Sequence, residues 1–318
     1  MSRRKKLLLS VAVIWLAATF AICMVILALT GQDIYDLAEL LSPNPPAELQ
    51  SSEASVTVID VGQGSALLIR LQKQNHSILI DTGDSFAEND LVRSLKRHGV
   101  EVIDLLVITH PHSDHFGGAE AVMDKFKVSR LWLPKISEDL EPTNSSYLRF
   151  LRAVEKEGCA VELKSRPEKL KFSEKAYLSL LDGFVSNPED LNDASLCLRF
   201  DYGKASFVVT GDGEKALEHQ LLKNRQNVNA DIFIAGHHGS STSNTVEFLN
   251  AVSPKATAVS VGADNEYGHP DRKVINRLVQ FGSVYRTDIS GNISFLTDGS
   301  TITVRSGDLT DLINAGDD

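Results

Sequence analysis

His110-Pro111-His112-Ser113-Asp114-His115 puts three imidazoles and a carboxylate within six residues, directly after the apolar run Leu105-Leu106-Val107-Ile108-Thr109. Such groups are costly to bury without a shared partner, and imidazole with carboxylate is the ligand set of zinc and similar divalent ions. His110 and His112, two apart in an extended segment, can converge on one ion. Asp114 and His115 begin a turn and can address a second ion close by. A surface turn, or a helix cap formed by Asp114, would need no neighbouring imidazoles, so a metal is the economical reading.

Three later apolar segments also end in polar residues. Residues 207–210 lead into Gly211-Asp212-Gly213, 232–234 into Gly236-His237-His238-Gly239-Ser240, and a segment ending near Val261 into Tyr267-Gly268-His269-Pro270. A carboxylate such as Asp212 can bridge two cations, and an imidazole from a later loop can close the shell. Plainer readings exist for each: Asp212 as a helix cap, His237 or His238 as a hydrogen-bonded support, His269 as a loop former before proline. His76, His98 and His219 follow no apolar strand and read as ordinary residues.

The elements that must position these groups begin at Ser55. Short apolar stretches at 56–61, 66–71, 77–80 and 104–109 predict strands, the first two flanking a tight turn or hairpin at Gly62-Gln63-Gly64. Beyond His110 the pattern alternates. Helices are predicted over 118–126, 146–157, 215–222, 245–252 and 272–280, and extended segments over 130–133, 161–163, 231–235 and 257–261. Hairpins are expected at Tyr202-Gly203-Lys204 and, closing the unit, through Ser290-Gly291-Asn292. Strand clusters with inserted helices in two successive halves predict a layered α/β sandwich with functional residues on loops at strand ends.

The flanks differ in kind. Arg3, Arg4, Lys5 and Lys6 precede residues 7–29, which carry no charge. As a helix these would be about 35 Å long, enough for a hydrocarbon core of about 30 Å. A cleaved signal peptide would have a shorter apolar region and a small-residue cleavage site, which Ala28-Leu29-Thr30 does not supply. The expectation is a single-pass anchor over 1–30 with its N-terminus cytoplasmic, placing the rest outside the cell membrane. Ser42-Pro43-Asn44-Pro45-Pro46 makes 31–54 a semi-rigid linker. The folded unit that carries the metal cluster is expected over 55–306, followed by an acidic tail over 307–318. Of three cysteines, Cys159 and Cys197 lie outside the anchor, in apolar settings that suit buried thiols. The net charge of −10 weakens any broad grip on phosphate backbones.

His110, His112, Asp114 and His115 match HxHxDH, and the chain thereby resembles the metallo-β-lactamase superfamily. That resemblance implies an αββα four-layer sandwich with a metal centre at one edge, holding one or two divalent ions, zinc or manganese. Asp60-Val61-Gly62-Gln63-Gly64, Ile80-Asp81-Thr82-Gly83, Thr210-Gly211-Asp212, His237-His238-Gly239-Ser240 and Tyr267-Gly268-His269-Pro270 further resemble the C-terminal domain of ComEC competence proteins. The chain departs from the superfamily pattern in having no histidine between His115 and His219, where many members place a third ligand for the first metal. His237, His238, Asp193 or water could fill that place.

On this resemblance His110, His112, Asp114, His115, Asp212 and His237 hold metal, with Asp114 essential to catalysis. Asp81 orients a ligand histidine, and His238 or His269 donates to the substrate or leaving group. Asp60, Gln63 and Asp193 support the pocket. The implied activity is a metal-dependent phosphodiesterase or nuclease acting on single-stranded DNA outside the membrane, with a DNA-uptake channel as a possible partner. Competing expectations are a phosphodiesterase or phosphorylcholine esterase of the cell envelope, and a non-catalytic metal-binding module of a DNA-uptake assembly.

Overall fold

The computed structural model describes Trp15, residues 52–306 apart from Asn187, and the backbone of Leu309–Asn314. The anchor expected over 7–29 lies outside the described residues, as does all but the end of the linker. Among the described residues no helix is long and apolar enough to cross a membrane.

Among the described residues sixteen strands build two sheets. The first contains β1 (Ala54–Val58), β2 (Leu67–Leu71), β3 (His76–Ile80), β5 (Leu105–Val107), β7 (Arg130–Pro134), β8 (Ala160–Lys164), β16 (Ile293–Thr297), β17 (Thr301–Ser306) and β18 (Leu309–Asn314). Its order is β18-β17-β16-β1-β2-β3-β5-β7-β8. The second contains β9 (Glu168–Lys171), β10 (Ala176–Leu180), β11 (Leu198–Tyr202), β12 (Ala205–Val209), β13 (Ile232–Ile234), β14 (Ala256–Val259) and β15 (Ser283–Arg286), in the order β15-β14-β13-β12-β11-β10-β9. Two short strands, β4 (Val102–Ile103) and β6 (Lys127–Val128), pair separately.

The strand sequences dictate the layering. In β13, Ile232 and Ile234 enter the core shared by the two sheets, while Phe233 enters the core on the other face. A strand buried on both sides reads as a continuous apolar run. Outside the first sheet pack α1 (Glu88–Arg97), α3 (Ala119–Lys125) and α4 (Ser145–Glu157), with the single turn α2 (Ser113–Phe116) between them. Outside the second pack α5 (Lys215–Lys223), α6 (Val246–Val252) and α7 (Arg272–Leu278). This is the αββα arrangement.

Two expectations need correcting at the end of the domain. Residues 290–292 do not close a hairpin. The turn α8 (Thr287–Ser290) carries the chain from the edge of the second sheet to β16, which pairs with β1 in the first. The closing hairpin is instead β16–β17, where Asp298 Oδ1 accepts from the Ser300 and Thr301 amides and so builds an Asx-type turn. The expected tail over 307–318 also contains a strand: Leu309–Asn314 pairs antiparallel with β17. Its sequence, with three aliphatic residues among six, suits an edge strand better than a solvated tail.

Phe295 is fully buried between the sheets, its ring 6.2 Å from that of Phe207 and 6.3 Å from that of Tyr285. Phe295→Ala is expected to reduce the free energy of unfolding by about 3–5 kcal/mol, read as a lower urea midpoint at fixed metal concentration.

Candidate metal centre

All the chemical groups lie at one edge of the sandwich, beyond the C-terminal ends of parallel strands. In the first sheet β3 delivers Asp81, and β5 delivers Thr109 and the 110–115 cluster. In the second β12 delivers Asp212, β13 delivers His237 and His238, and β14 delivers Ser260. Ligands in open α/β sheets sit at this end because adjacent loops splay there.

Asp114, His115, Asp212 and His238 each place a ligand atom within 4.8 Å of the others. His115 Nε2 lies 3.3 Å from Asp212 Oδ1, and His238 Nε2 lies 3.3 Å from Asp114 Oδ2 and 3.5 Å from Asp212 Oδ2. Both ring nitrogens are buried and lack an aligned hydrogen bond. Buried polar atoms are nearly always satisfied, and two imidazole nitrogens aimed at two carboxylates form a donor set that a divalent cation completes. The residues therefore fit a metal. His110 Nε2 and His112 Nδ1 approach each other to 3.0 Å, and His110 Nε2 lies 3.9 Å from Asp212 Oδ2. Asp212 thus faces both imidazole groups.

Surrounding residues fix which nitrogen each ring presents. His115 Nδ1 is 2.8 Å from Asp81 Oδ2, and His238 Nδ1 donates to the Ser260 carbonyl at 2.9 Å. Asp81 is fully buried and also accepts from the Thr109 amide and hydroxyl. Thr109 Oγ1 lies 3.3 Å from His110 Nδ1, so one carboxylate steers two imidazoles. Such support typically sets ligand basicity and geometry.

Burial opposes charge throughout this cluster, but attraction between its members overrides it. His238 is pushed up to about 10 by Asp212 and Asp114. His115 rises well above the ordinary imidazole range beside Asp212 and Asp81, and the Asp212 carboxyl is held well below its usual range by His115 and His238. His110 moves the other way, because burial and the neighbouring His115 both disfavour its charge.

The other sequence-derived candidates separate. His237 lies outside the four-residue set: its Nε2 is 3.7 Å from Asp212 Oδ2 and its Nδ1 bonds Thr242 Oγ1 at 3.1 Å. His238, expected at the substrate, is the imidazole inside that set. His269 lines the mouth, stacked on Tyr267 with ring centroids 5.9 Å apart and edge-on to His237. Asp193 does not enter the centre. Its Oδ1 accepts from the Glu214 and Leu217 amides and caps α5, so the capping role weighed for Asp212 belongs to Asp193. Gln63 Oε1 accepts from the Gly262 amide, and Asp60 Oδ1 accepts from the Gly62 amide within its own turn. Gly64 is required where it stands: a Cβ there would come within 2.6 Å of the Asp114 carbonyl. His76 bonds Asp104 and His98 bonds the Ser94 carbonyl, away from the centre.

Sequence reading missed the device that holds the second-sheet histidines. His237 and His238 both adopt left-handed backbone (φ 50° and 52°), a conformation that costs of order 1–3 kcal/mol per non-glycine residue. Asn244, fully buried, accepts from the Gly236 amide and donates to the Gly236 and Ser240 carbonyls. Ser243 Oγ donates to the Gly213 carbonyl beside Asp212. One turn therefore ties the 211–213 and 236–240 loops together. In sequence, Ser243-Asn244 reads only as polar residues ahead of a helix.

The sequence pattern of the Metallo-beta-lactamase superfamily matches residues 59–263. The chain belongs to this superfamily. It is 33% identical over 264 residues to ComE operon protein 3 of Bacillus subtilis (strain 168), covering 77% of this chain and 33% of that protein. It is 35% identical over 264 residues to Competence protein ComA of Neisseria gonorrhoeae, covering 81% and 34% respectively. Recombination protein 2 of Haemophilus influenzae is 28% identical over 257 residues, with 77% and 29% covered. The chain spans about a third of the length of these curated relatives.

Asp81→Asn presents an amide where His115 needs an acceptor and should weaken metal affinity about 10- to 100-fold, measured by competition with a chromophoric chelator. Because His115 and His238 hold protons in the metal-free protein, metal must displace them at neutral pH. Affinity should therefore rise with pH up to about 10, the value of His238, with proton release seen by calorimetry in buffers of different ionisation enthalpy. A pH-independent affinity without proton release would contradict the assigned protonation.

Proposed function

We propose that this metal-dependent hydrolase is a phosphodiesterase that cleaves DNA at the outer face of a membrane. The observation that carries the reading is the position of Asp212. Both oxygens of one buried carboxylate are met by imidazoles, Oδ1 by His115 and Oδ2 by His110, His237 and His238, so that each oxygen has nitrogen donors beside it with which to share a cation. When bound, such ions supply Lewis acidity toward phosphoryl oxygens and lower the pKa of water, the chemistry that an in-line displacement at phosphorus needs.

The chain's own residues do the rest. Asp81 and Ser260 hold His115 and His238 with their Nε2 atoms inward. Asp114 is part-exposed at the mouth, where a substrate must enter. His269, lowered by burial and by His237 and His238, is neutral at pH 7 and is placed at the mouth to hydrogen-bond a substrate oxygen or to accept and pass on a proton.

DNA as substrate draws support from two relatives named for competence or recombination. The uncharged stretch at 7–29 behind four basic residues supports membrane attachment, and a DNA-uptake channel as partner rests on the ComEC resemblance. The acidic net charge of −10 favours instead a small phosphate ester of the cell envelope.

The discriminating experiment assays the full chain for bound metal and for hydrolysis of bis-p-nitrophenyl phosphate and single-stranded DNA, beside Asp114→Ala. Metal-dependent cleavage of both, reduced at least about 100-fold in the variant, is the expected result. Cleavage of the small diester alone would replace DNA with an envelope ester. Failure on both with zinc and manganese supplied would leave a binding role.

A further inference from the structure

Beside the metal mouth lies a second and larger cavity, of about 820 Å³, a volume in the range of sites for sizeable organic ligands. Gln63, Ser113, Asp114 and Tyr267 line both spaces, so the candidate ligand Asp114 stands at their junction. On the wall away from the metal are Phe86, Arg93 and Arg97. Phe86 is 96% exposed and Tyr267 is 71% exposed. Large aromatic side chains held in water beside a reaction centre gain nothing in the free protein. They gain when a flat apolar group covers them.

Charge narrows what that group can be. The cavity wall also carries Asp60, Asp84, Asp90 and Asp288. Asp60 and Asp84 are engaged by backbone amides of their own turns, Asp90 by Arg93, and Asp288 by Arg286. Arg97 has no carboxylate partner among the described residues. A wall with one uncommitted cation cannot track a phosphate backbone, and the chain as a whole is acidic. A nucleic acid bound here must be held by the faces of its bases, which are available only when unpaired. Stacking of that kind tolerates any sequence, since every base has a π-face, and a stacking contact neutralises no phosphate, so it releases no counterion of its own.

Resting on the phosphodiesterase reading, we infer that this cavity is a base-stacking subsite in which Phe86 and Tyr267 receive unpaired nucleobases of the strand being cleaved at the adjoining centre. Tyr267 is well placed for this. It is stacked on His269, and Asn265 fixes the loop through hydrogen bonds to the Gly262 and His269 carbonyls and the His269 amide. Selectivity for single strands follows from the wall itself, because a duplex hides the faces that the aromatics need.

The test compares KM of the full chain for a thymidine oligonucleotide and for an abasic oligonucleotide of equal length, in the native sequence, Phe86→Ala and Phe86→Trp. The native protein should prefer the base-bearing strand by about fivefold or more. Phe86→Ala should erase most of that preference, Phe86→Trp should keep it, and the KM should change little between low and moderate salt. Because Phe86 is almost wholly exposed, its replacement leaves the core untouched. Equal use of the two strands by the native protein, or a preference unchanged in Phe86→Ala, would overturn the subsite while leaving the phosphodiesterase intact. Hydrolysis of bis-p-nitrophenyl phosphate with neither oligonucleotide cut would overturn the DNA reading and the subsite together.

Discussion

The centre depends on one unfavourable fact, that Asp212 is a carboxylate buried at the edge of a protein interior with imidazoles turned toward it. A charge in that position is tolerable only if its partners cannot drift, since each lost contact leaves it uncompensated. Much of the surrounding structure serves that requirement. Asp81 locks His115, Ser260 locks His238, and Ser195 Oγ accepts from the Asp212 amide itself. The left-handed backbone at His237 and His238 is a further consequence. The 236–240 loop must fold tightly enough to turn His238 inward, and Asn244 with its three hydrogen bonds holds it there.

Topology explains why these residues meet. Parallel strands from each sheet end at the same rim, so loops far apart in sequence converge without long excursions. Two contacts across the rim then join the sheets, Ser260 Oγ donating to the Gly64 carbonyl and Gln63 accepting from the Gly262 amide, while on the first-sheet side the Ser65 amide donates to the Asp114 carbonyl. The glycine-rich turn after β1 is therefore a joint between the halves, and it is packed at the same time against the 110–115 loop, where Gly64 leaves room for the Asp114 carbonyl.

How much of this could be read from the sequence varied with the range of the interaction. The layered α/β architecture was legible because strands such as 232–234 and helices such as 146–157 carry their periodicity locally. The 110–115 cluster was legible because its ligands are neighbours in the chain. Which of two adjacent histidines turns inward was not, because it is set by backbone conformation at His237 and His238 and by Asn244, none of which leaves a periodic trace. Thr109 was hidden as the last residue of an apolar strand, although its hydroxyl links Asp81 to His110. The path through 287–292 was misread because a turn signal there says that the chain reverses but not that it changes sheets. The charged strand Glu168–Lys171 likewise lacks apolar alternation, and pairing with β10 alone defines it.

The division of ligands between the sheets also sets a timetable. Asp114 and His115 come from the first half of the domain, and Asp212 and His238 from the second, roughly a hundred residues later. During synthesis, which proceeds from the N-terminus, the conspicuous His110–His115 cluster emerges well before the carboxylate and imidazole that complete its coordination. A nascent chain can hold an ion there only loosely, with positions left open to solvent. The four-residue centre is therefore complete only late, when the second sheet closes on the first.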